Sequence, residues 1–170
     1  MGLFSNLFHK DDAASEPSAP VTIVAPVDGV IKPIEDVPDD TFAAKILGDG
    51  FGVVPASGTV VAPVSGTVTT VANAKHAVGI TTEHGVEVLV HIGVDTVQLN
   101  GEPFDMLVAA GQTITAGQPI ERVDVEAVKA AGKPTDVIVV FTNPAVIDSL
   151  DVTATGEITA GDPIGTMTTK

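Results

Sequence analysis

From Val21 to the C-terminus, β-branched residues occur in short runs that Gly, Pro and Asp interrupt about every eight to twelve residues. The runs include Gly66–Val71, Ile80–Thr82, Val86–Val90 and Val137–Phe141. Such runs, separated by turn residues, are typical of antiparallel strands. The pattern therefore predicts an all-β fold, an antiparallel β-sandwich or barrel.

From Val21 onward, a helical pattern occurs in only one clear place. Asp124–Ala131 begins with a good N-cap residue, and Gly132 and Pro134 follow its last helical position. We therefore expect a short helix here. Asp148–Leu150 is expected to add one further helical turn.

Two short patterns each occur twice. Ala25–Val30 (APVDGV) recurs as Ala62–Thr67 (APVSGT), and Ile114–Ile120 (ITAGQPI) recurs as Ile158–Ile164 (ITAGDPI). Two copies predict a sheet with duplicated elements, because a solenoid would need three or more repeats. The patterns also resemble biotinyl and lipoyl carrier domains, but the lysine turns that hold those groups are missing. We therefore expect no cofactor.

The first 20 residues differ from the rest. Four apolar residues there share one helical face: Leu3, Phe4, Leu7 and Phe8. A helix this short is marginal in water and would form on contact with a surface or partner. We expect a flexible tail over residues 1–20, touching a membrane surface only weakly because few cations flank the stripe. The folded domain is expected over residues 21–170. With no secretory signal or membrane span visible, we expect a cytoplasmic location.

Composition excludes several classes of function. The chain has 8 basic and 22 acidic residues, a formal charge of −14, which opposes binding to nucleic acid. It contains no Cys, so disulfides, thiolate metal sites and cysteine nucleophiles are excluded. Its hydrophobic fraction of 44% is too high for a disordered chain. The sequence describes an acidic, folded domain.

Of the four histidines, His91 lies within a strand pattern, whereas His9 lies in the tail and His84 in an expected hairpin turn. Strand alternation places one set of residues in the core: Val86, Val88, Val90, Ile92 and Val94. The opposite face then carries Glu87, Leu89, His91, Gly93 and Asp95. His91 is therefore expected on the outer face, where it is either an ordinary surface residue or a functional one.

His76 opens the preceding strand. If residues 76–82 and 85–91 form a hairpin, His76 and His91 become cross-strand neighbours with Cβ atoms about 5 Å apart. Two such rings can bind a metal or act as base and donor. Alternatively, one ring can accept a phosphoryl group while the other stabilises it.

The residues favour some of these alternatives over others. A permanent metal needs a third ligand, and neither HxH nor HExxH occurs. The GxSxG elbow of serine hydrolases and the GxxxxGK[ST] nucleotide loop are missing too. A phosphohistidine needs an exposed neutral ring and donors for the phosphoryl oxygens. The backbone N–H groups of Gly93, Val94 and Asp95 are expected to form that cradle.

At these residues the chain resembles the enzyme IIA component of the sugar phosphotransferase system, and within it the glucose-specific branch. The resemblance covers nearly the whole chain. Its segments are Met1–Phe4, Phe42–Gly50, Val61–Val68, Lys75–Ile80, Val88–Val97 and Leu99–Phe104. The stretch Val90–Val97 (VHIGVDTV) is the most specific of its motifs.

The resemblance implies a phosphocarrier. Members accept a phosphoryl group from the histidine-containing phosphocarrier protein and pass it to a cysteine on the IIB domain of a membrane sugar permease. His91 would carry the group on Nε2, and His76 would donate a hydrogen bond to it. Backbone N–H groups near Asp95 would complete the cradle.

Partner docking is also implied. The matching apolar docking residues are Phe42, Ile46, Leu47, Leu89 and Val97. Asp39 and Asp95 would face cationic partners. Relatives can bind zinc between the two histidines and a carboxylate of a partner protein. The alternatives are a regulatory binding protein switched by phosphorylation and, on a related duplicated sheet, a metal-dependent peptidase.

Two positions depart from the family pattern. The family commonly has Thr two residues before the second histidine, where its hydroxyl orients the ring, but this chain has Ala74. An aromatic residue of some relatives is replaced by Ala72, which thins the docking patch. The sugar cannot be read from the chain, since the IIA component does not touch it, but glucose is the leading expectation.

Overall fold

The computed structural model describes residues 19–170, so the expected helix of the N-terminal tail lies outside the described residues. The strands are β1 Val21–Val24, β2 Gly29–Pro33, β3 Asp49–Pro55, β4 Thr59–Val61, β5 Gly66–Val71, β6 Ala77–Thr81, β7 Glu87–Ile92, β8 Phe104–Met106, β9 Thr113–Ile114, β10 Pro119–Val123, β11 Val137–Phe141, β12 Ile147–Val152, β13 Gly156–Ile158 and β14 Pro163–Thr169. The helices are α1 Asp40–Ala43 and α2 Val125–Ala130. Single 3-10 turns lie at Ile34–Asp36, Thr96–Leu99 and Pro144–Val146.

All strand pairs are antiparallel. The largest sheet has eight strands in the order β13-β2-β3-β11-β7-β6-β5-β9. Two sheets of three strands, β1-β14-β12 and β4-β10-β8, are the other sheets within residues 19–170. The antiparallel sandwich predicted from the turn spacing is confirmed, and the largest sheet is open at β13 and β9 rather than closed into a barrel.

Both predicted repeats occupy equivalent places in the two halves of this architecture. The APV segments lead into β2 and β5, and the ITAG segments join β9 to β10 and β13 to β14. The Ala25 N–H donates to the carbonyl of Asp162 at 2.8 Å, and the Ala62 N–H donates to that of Gln118 at 2.8 Å. The predicted duplication is therefore confirmed in the hydrogen bonds that join the repeats.

The main core lies between the sheets and contains buried valines and isoleucines from nearly every strand. A second, smaller cluster lies on the outer face of the eight-stranded sheet. It consists of Ile34, Val37, Phe42, Val94, Ile138 and Val140, with Leu89 half-buried against it. The segment that connects β2 to β3, including α1, supplies the cover, and Asp39 caps α1 by accepting the N–H of Thr41 at 2.9 Å.

The prediction of a short helix after Asp124 is confirmed, because α2 begins there and the Asp124 side chain accepts the N–H of Ala127 at 3.0 Å. The helical turn expected at Asp148–Leu150 is wrong, since these residues lie in β12. There Leu150 is paired with Met167 of β14, and the hydroxyls of Ser149 and Thr168 are 2.6 Å apart. Pairing with β14 satisfies the backbone groups that a single helical turn would leave open.

Candidate phosphohistidine site

The hairpin of β6 and β7 brings His76 and His91 together, with ring centroids 5.1 Å apart and planes at 78°. The predicted direct pairing is wrong by one residue, because Ala77 lies opposite His91. His76 lies just before β6, and its carbonyl accepts the N–H of Ile92 at 2.8 Å. The cause is the turn, in which Thr82 pairs with Val86 and three residues lie between them. Turn length sets register, so one more turn residue shifts the pairing by one position.

The predicted alternation of faces holds along β7. Val86, Val88, Val90 and Ile92 are buried in the main core, whereas Leu89 and His91 are half-buried on the other face. Val94 is the exception, since it packs in the second cluster. The strand ends at Ile92, and the positive φ of Gly93 (78°) breaks the alternation there.

The second cluster covers part of the face on which His91 lies. The Phe42 ring is 5.0 Å from the His91 ring, at an angle of 58° between planes. Phe42 is only 6% exposed. Phe42 therefore packs against the histidine and offers little surface of its own, and its docking role stays a prediction.

One hydrogen bond fixes the chemical state of His91. Its Nδ1 lies 2.9 Å from the carbonyl oxygen of Gly93. A carbonyl can only accept, so Nδ1 carries the proton and Nε2 keeps its lone pair. Burial, and then the neighbouring His76, lower the pKa of His91 to about 4, although Gly93, Asp39 and Asp95 act in the opposite direction. The ring is therefore neutral at neutral pH, with Nε2 available as a nucleophile.

His76 is half-buried, and burial lowers its pKa below the usual value. Its Nδ1 is buried with no hydrogen-bond partner in the described part of the chain. Position 74 is Ala, whose side chain can neither donate nor accept a hydrogen bond. The orientation of this ring therefore depends on packing and not on a hydrogen bond at Nδ1.

The turn after β7 differs from the cradle that the sequence predicted. The N–H of Gly93 donates to the carbonyl of Asp136 at 2.7 Å, and the N–H of Val94 donates to that of Pro134 at 3.1 Å. These two donors are already used, so their expected role in holding phosphoryl oxygens is wrong. Of the three predicted donors, only the N–H of Asp95 makes no backbone hydrogen bond within the described residues.

Residues 134–136 are therefore part of the site's framework, and sequence reasoning missed them. They act through the backbone carbonyls of Pro134 and Asp136, which accept the N–H groups of Val94 and Gly93. The pattern of side chains along the sequence does not predict such bonds. Thr96 was also missed, although its buried hydroxyl donates to the carbonyl of Ile92 at 2.5 Å and closes the turn.

Three of the predicted docking residues are exposed: Ile46 at 71%, Leu47 at 41% and Val97 at 51%. Asp39 has a structural task as well as its charge, because it caps α1 and so helps to place Phe42. Within residues 19–170 no group of three or more His, Cys, Asp and Glu residues could hold a metal ion. No helix in the same range is long and apolar enough to cross a membrane.

The fold and the histidine pair are those of a phosphocarrier domain, and comparison with known proteins gives the family. The profile of the phosphoenolpyruvate-dependent sugar phosphotransferase system, EIIA 1, matches residues 21–147. The chain belongs to this EIIA family and is a phosphocarrier component of the phosphotransferase system.

Individual relatives agree with this assignment. The chain is 40% identical over 160 residues to the glucose-specific EIIA component of Staphylococcus epidermidis, covering 94% of this chain and 95% of that protein. It is 46% identical over 155 residues to the glucose-specific EIICBA component of Streptococcus pneumoniae, covering 91% of this chain but 20% of that protein. The glucose permease IIA of Mycoplasma capricolum has the same fold, with a TM-score of 0.80 and 36% identity over 88% of this chain and 96% of that one.

Proposed function

We propose that this protein accepts a phosphoryl group on Nε2 of His91 and passes it to the IIB domain of a glucose permease, in the cytoplasm. The donor is the histidine-containing phosphocarrier protein. The observation that carries the proposal is the bond from Nδ1 of His91 to the Gly93 carbonyl, which leaves Nε2 unprotonated. The glucose-specific names of the relatives support the choice of sugar.

Both transfers are displacements at phosphorus. In the first, the Nε2 lone pair forms an N–P bond while the N–P bond of the donor breaks and its electron pair stays on the donor ring. In the second, a cysteine thiolate of the IIB domain attacks the same phosphorus, and the electron pair of the broken bond returns to Nε2 of His91. A ring with a pKa near 4 suits both steps, because it attacks as a neutral nucleophile and departs without first taking up a proton.

His76 is assigned the stabilising role. Its ring lies close to that of His91, and its buried Nδ1 has no partner among the described residues. A bare nitrogen is less costly to bury than an unpaired N–H, which favours the tautomer protonated on Nε2. That N–H then donates to a phosphoryl oxygen, and the N–H of Asp95 is the second donor of the site.

Docking excludes water from the transfer. Ile46, Leu47 and Val97 supply exposed apolar surface, and phosphoryl transfer between proteins requires a water-free contact because water competes as the acceptor. Asp95 is exposed at the rim and offers a negative charge to cationic partners. The name EIICBA of the streptococcal relative, which places a B part beside the A part, supports a IIB domain as the acceptor.

The proposal is tested by intact-mass measurement after incubation with phosphoenolpyruvate, enzyme I and the histidine-containing phosphocarrier protein. Wild type is expected to gain one acid-labile phosphoryl group, and His91→Ala none. His76→Ala is expected to accept the group but to pass it on slowly. The matched control is His84→Ala, since His84 lies in the exposed turn of the same hairpin and should behave as wild type. Phosphorylation of His91→Ala at another residue would overturn the assignment.

A further inference from the structure

A row of paired residues crosses the outer face of the eight-stranded sheet and ends at His91. Lys32 of β2 lies opposite Gly52 of β3, Gly52 lies opposite Ile138 of β11, and Ile138 lies opposite His91 of β7. Paired residues in antiparallel strands point to the same face. Lys32 is therefore on the same side of the sheet as His91, with two strands between them.

The lysine in this row does not point to solvent. A Cβ on Gly52 would lie 3.6 Å from both Cγ and Cε of Lys32, so the lysine side chain lies across β3 at van der Waals distance from this position. The atom that needs the glycine is Cγ2 of Val37, which would lie only 2.8 Å from that Cβ. The ammonium is 2.5 Å from Oδ2 of Asp136, and the two side chains are 22% and 7% exposed. Oδ2 has no hydrogen bond of good geometry, so it depends on this ion pair for compensation.

Asp136 connects this ion pair to the nucleophile. It is the residue before β11, and its carbonyl accepts the N–H of Gly93 at 2.7 Å. The carbonyl of Gly93 in turn accepts Nδ1–H of His91 at 2.9 Å. The side chain of Asp136 is thus fixed to β2 on one side, and its peptide carbonyl is fixed to the turn of the site on the other.

We propose that Lys32 and Asp136 are positioning residues for phosphoryl transfer. The ion pair holds the Asp136 peptide in one orientation, this peptide holds Gly93, and the Gly93 carbonyl keeps the proton of His91 on Nδ1. An apolar pair in the same place would fill the space but would leave the peptide orientation less constrained. The inference rests on the proposed role of His91 as the phosphorylated residue.

The test compares four full-length variants with wild type. Lys32→Met removes the ion pair but leaves a buried carboxylate, which alone can unfold a protein. The double variant Lys32→Met, Asp136→Asn also lacks the ion pair but buries no uncompensated charge. Lys32→Arg keeps a cation. Val68→Ala is the control. Val68 is fully buried in β5, so this variant loses core packing but changes no residue of the row.

Two quantities are measured for each variant at a temperature at which all are folded. One is the rate of phosphoryl uptake from the histidine-containing phosphocarrier protein, and the other is the His91 tautomer from ring nitrogen chemical shifts. We expect the double variant to lose about tenfold in rate and to show mixed tautomers, because small displacements of a reacting group are costly. Lys32→Arg should keep the wild-type rate and the wild-type tautomer. Val68→Ala should have a lower melting temperature but an unchanged rate.

A double variant with the wild-type rate and the wild-type tautomer would overturn the inference. So would an equal loss of rate in Val68→Ala, since the effect would then follow general stability. Failure of wild type itself to be phosphorylated on His91 would overturn the proposed function instead, so the two failures are distinguishable.

Discussion

His91 combines burial with a single strong constraint on its tautomer. Its ring packs between Phe42 and His76, and both the low-dielectric surroundings and the second ring disfavour a charge. The Gly93 carbonyl then decides which nitrogen keeps the only proton. At the scale of single residues, the burial of the ring, the neighbouring His76 and the Gly93 carbonyl together keep Nε2 of His91 unprotonated.

The first prediction concerns the titration of this ring. His91 should remain neutral as pH falls through 6.5, the ordinary value for histidine, and gain a proton only near pH 4. The folded state then binds fewer protons than the unfolded state between these values, so this group lowers stability as pH falls from 6.5 to 4. Nitrogen chemical shifts followed through an acid titration check the prediction. A midpoint near 6.5 would contradict it.

The second prediction concerns the unpartnered Nδ1 of His76. Ala74→Thr should provide the hydroxyl that the resemblance associates with this position and should orient the ring by a hydrogen bond. We expect phosphoryl transfer to the IIB domain to become about fivefold faster, as suits one added hydrogen bond. Ala74→Val has the same shape without the hydroxyl and is the control. Equal rates in the two variants would show that the hydroxyl is not used.

At the scale of elements, the turn after β7 determines how the site is built. Gly93 has φ of 78°, and a Cβ there would lie 2.3 Å from Cγ2 of Thr96 and 3.0 Å from the carbonyl oxygen of Pro134. Gly111 has a similar φ of 94° but no atom within 4 Å of the same position. An alanine at Gly111 would therefore introduce backbone strain alone, whereas an alanine at Gly93 would introduce both strain and steric conflict.

The third prediction uses this matched pair. Gly93→Ala should cost roughly 3 kcal/mol of unfolding free energy, the sum of strain and crowding. It should also abolish rapid phosphoryl uptake, because the turn must move. Gly111→Ala should cost about 1 kcal/mol from strain alone and keep full uptake. Denaturant unfolding and the mass assay measure both effects, and equal costs at the two positions would contradict the steric argument.

Sequence patterns predicted the elements better than their junctions. The alternation along Val86–Ile92 predicted β7 and its buried face, because both depend on local chemistry. The register between His76 and His91 failed because a turn of three residues instead of two moves every pair by one position. The engaged N–H groups of Gly93 and Val94 could not be predicted, since their acceptors lie about forty residues further on, at Pro134 and Asp136.

The burial of Phe42 was missed for a related reason. Its exposure depends on how α1 folds back over the eight-stranded sheet, and this is a tertiary arrangement. The cap by Asp39 was readable in principle as an Asp before a short helix. Nothing in the local pattern, however, indicated that the helix would lie beside a histidine on a strand.

At the scale of the whole molecule, the two halves of the duplicated fold differ at Glu121, which places a carboxyl group in the core. Ile120 and Ile164 are equivalent in the two ITAG segments, so Glu121 of β10 corresponds to Gly165 of β14. The Glu121 side chain is fully buried, and neither carboxyl oxygen has a hydrogen-bond partner in the described chain. Burial, then Asp105, raise its pKa to about 8, although Lys75 acts in the opposite direction.

The fourth prediction follows from linkage. Between about pH 4.5 and pH 8 the folded state keeps the proton of Glu121 and the unfolded state releases it, so stability falls as pH rises, by up to about 1.4 kcal/mol per unit. Glu121→Gln never ionises and should gain stability relative to wild type as pH rises through this range. Urea unfolding at pH 5 and pH 8 measures the difference. Glu126→Gln on the exposed face of α2 is the control, and parallel curves for wild type and Glu121→Gln would disprove the prediction.

The eight-stranded sheet has an approximate twofold axis at its centre, where Val90 of β7 lies opposite Val139 of β11. The pair His91–Ile138 on one side of this axis corresponds to the pair Leu89–Val140 on the other. Only one half of the duplicated scaffold therefore holds an imidazole, and the equivalent place in the other half holds Val140 in the second cluster. Under the proposed function, each copy of the protein carries one phosphoryl group at a time. The rate of sugar uptake should then scale with how often the protein moves between its phosphoryl donor and the permease. The reason is that no molecule holds a second phosphoryl group for the next sugar.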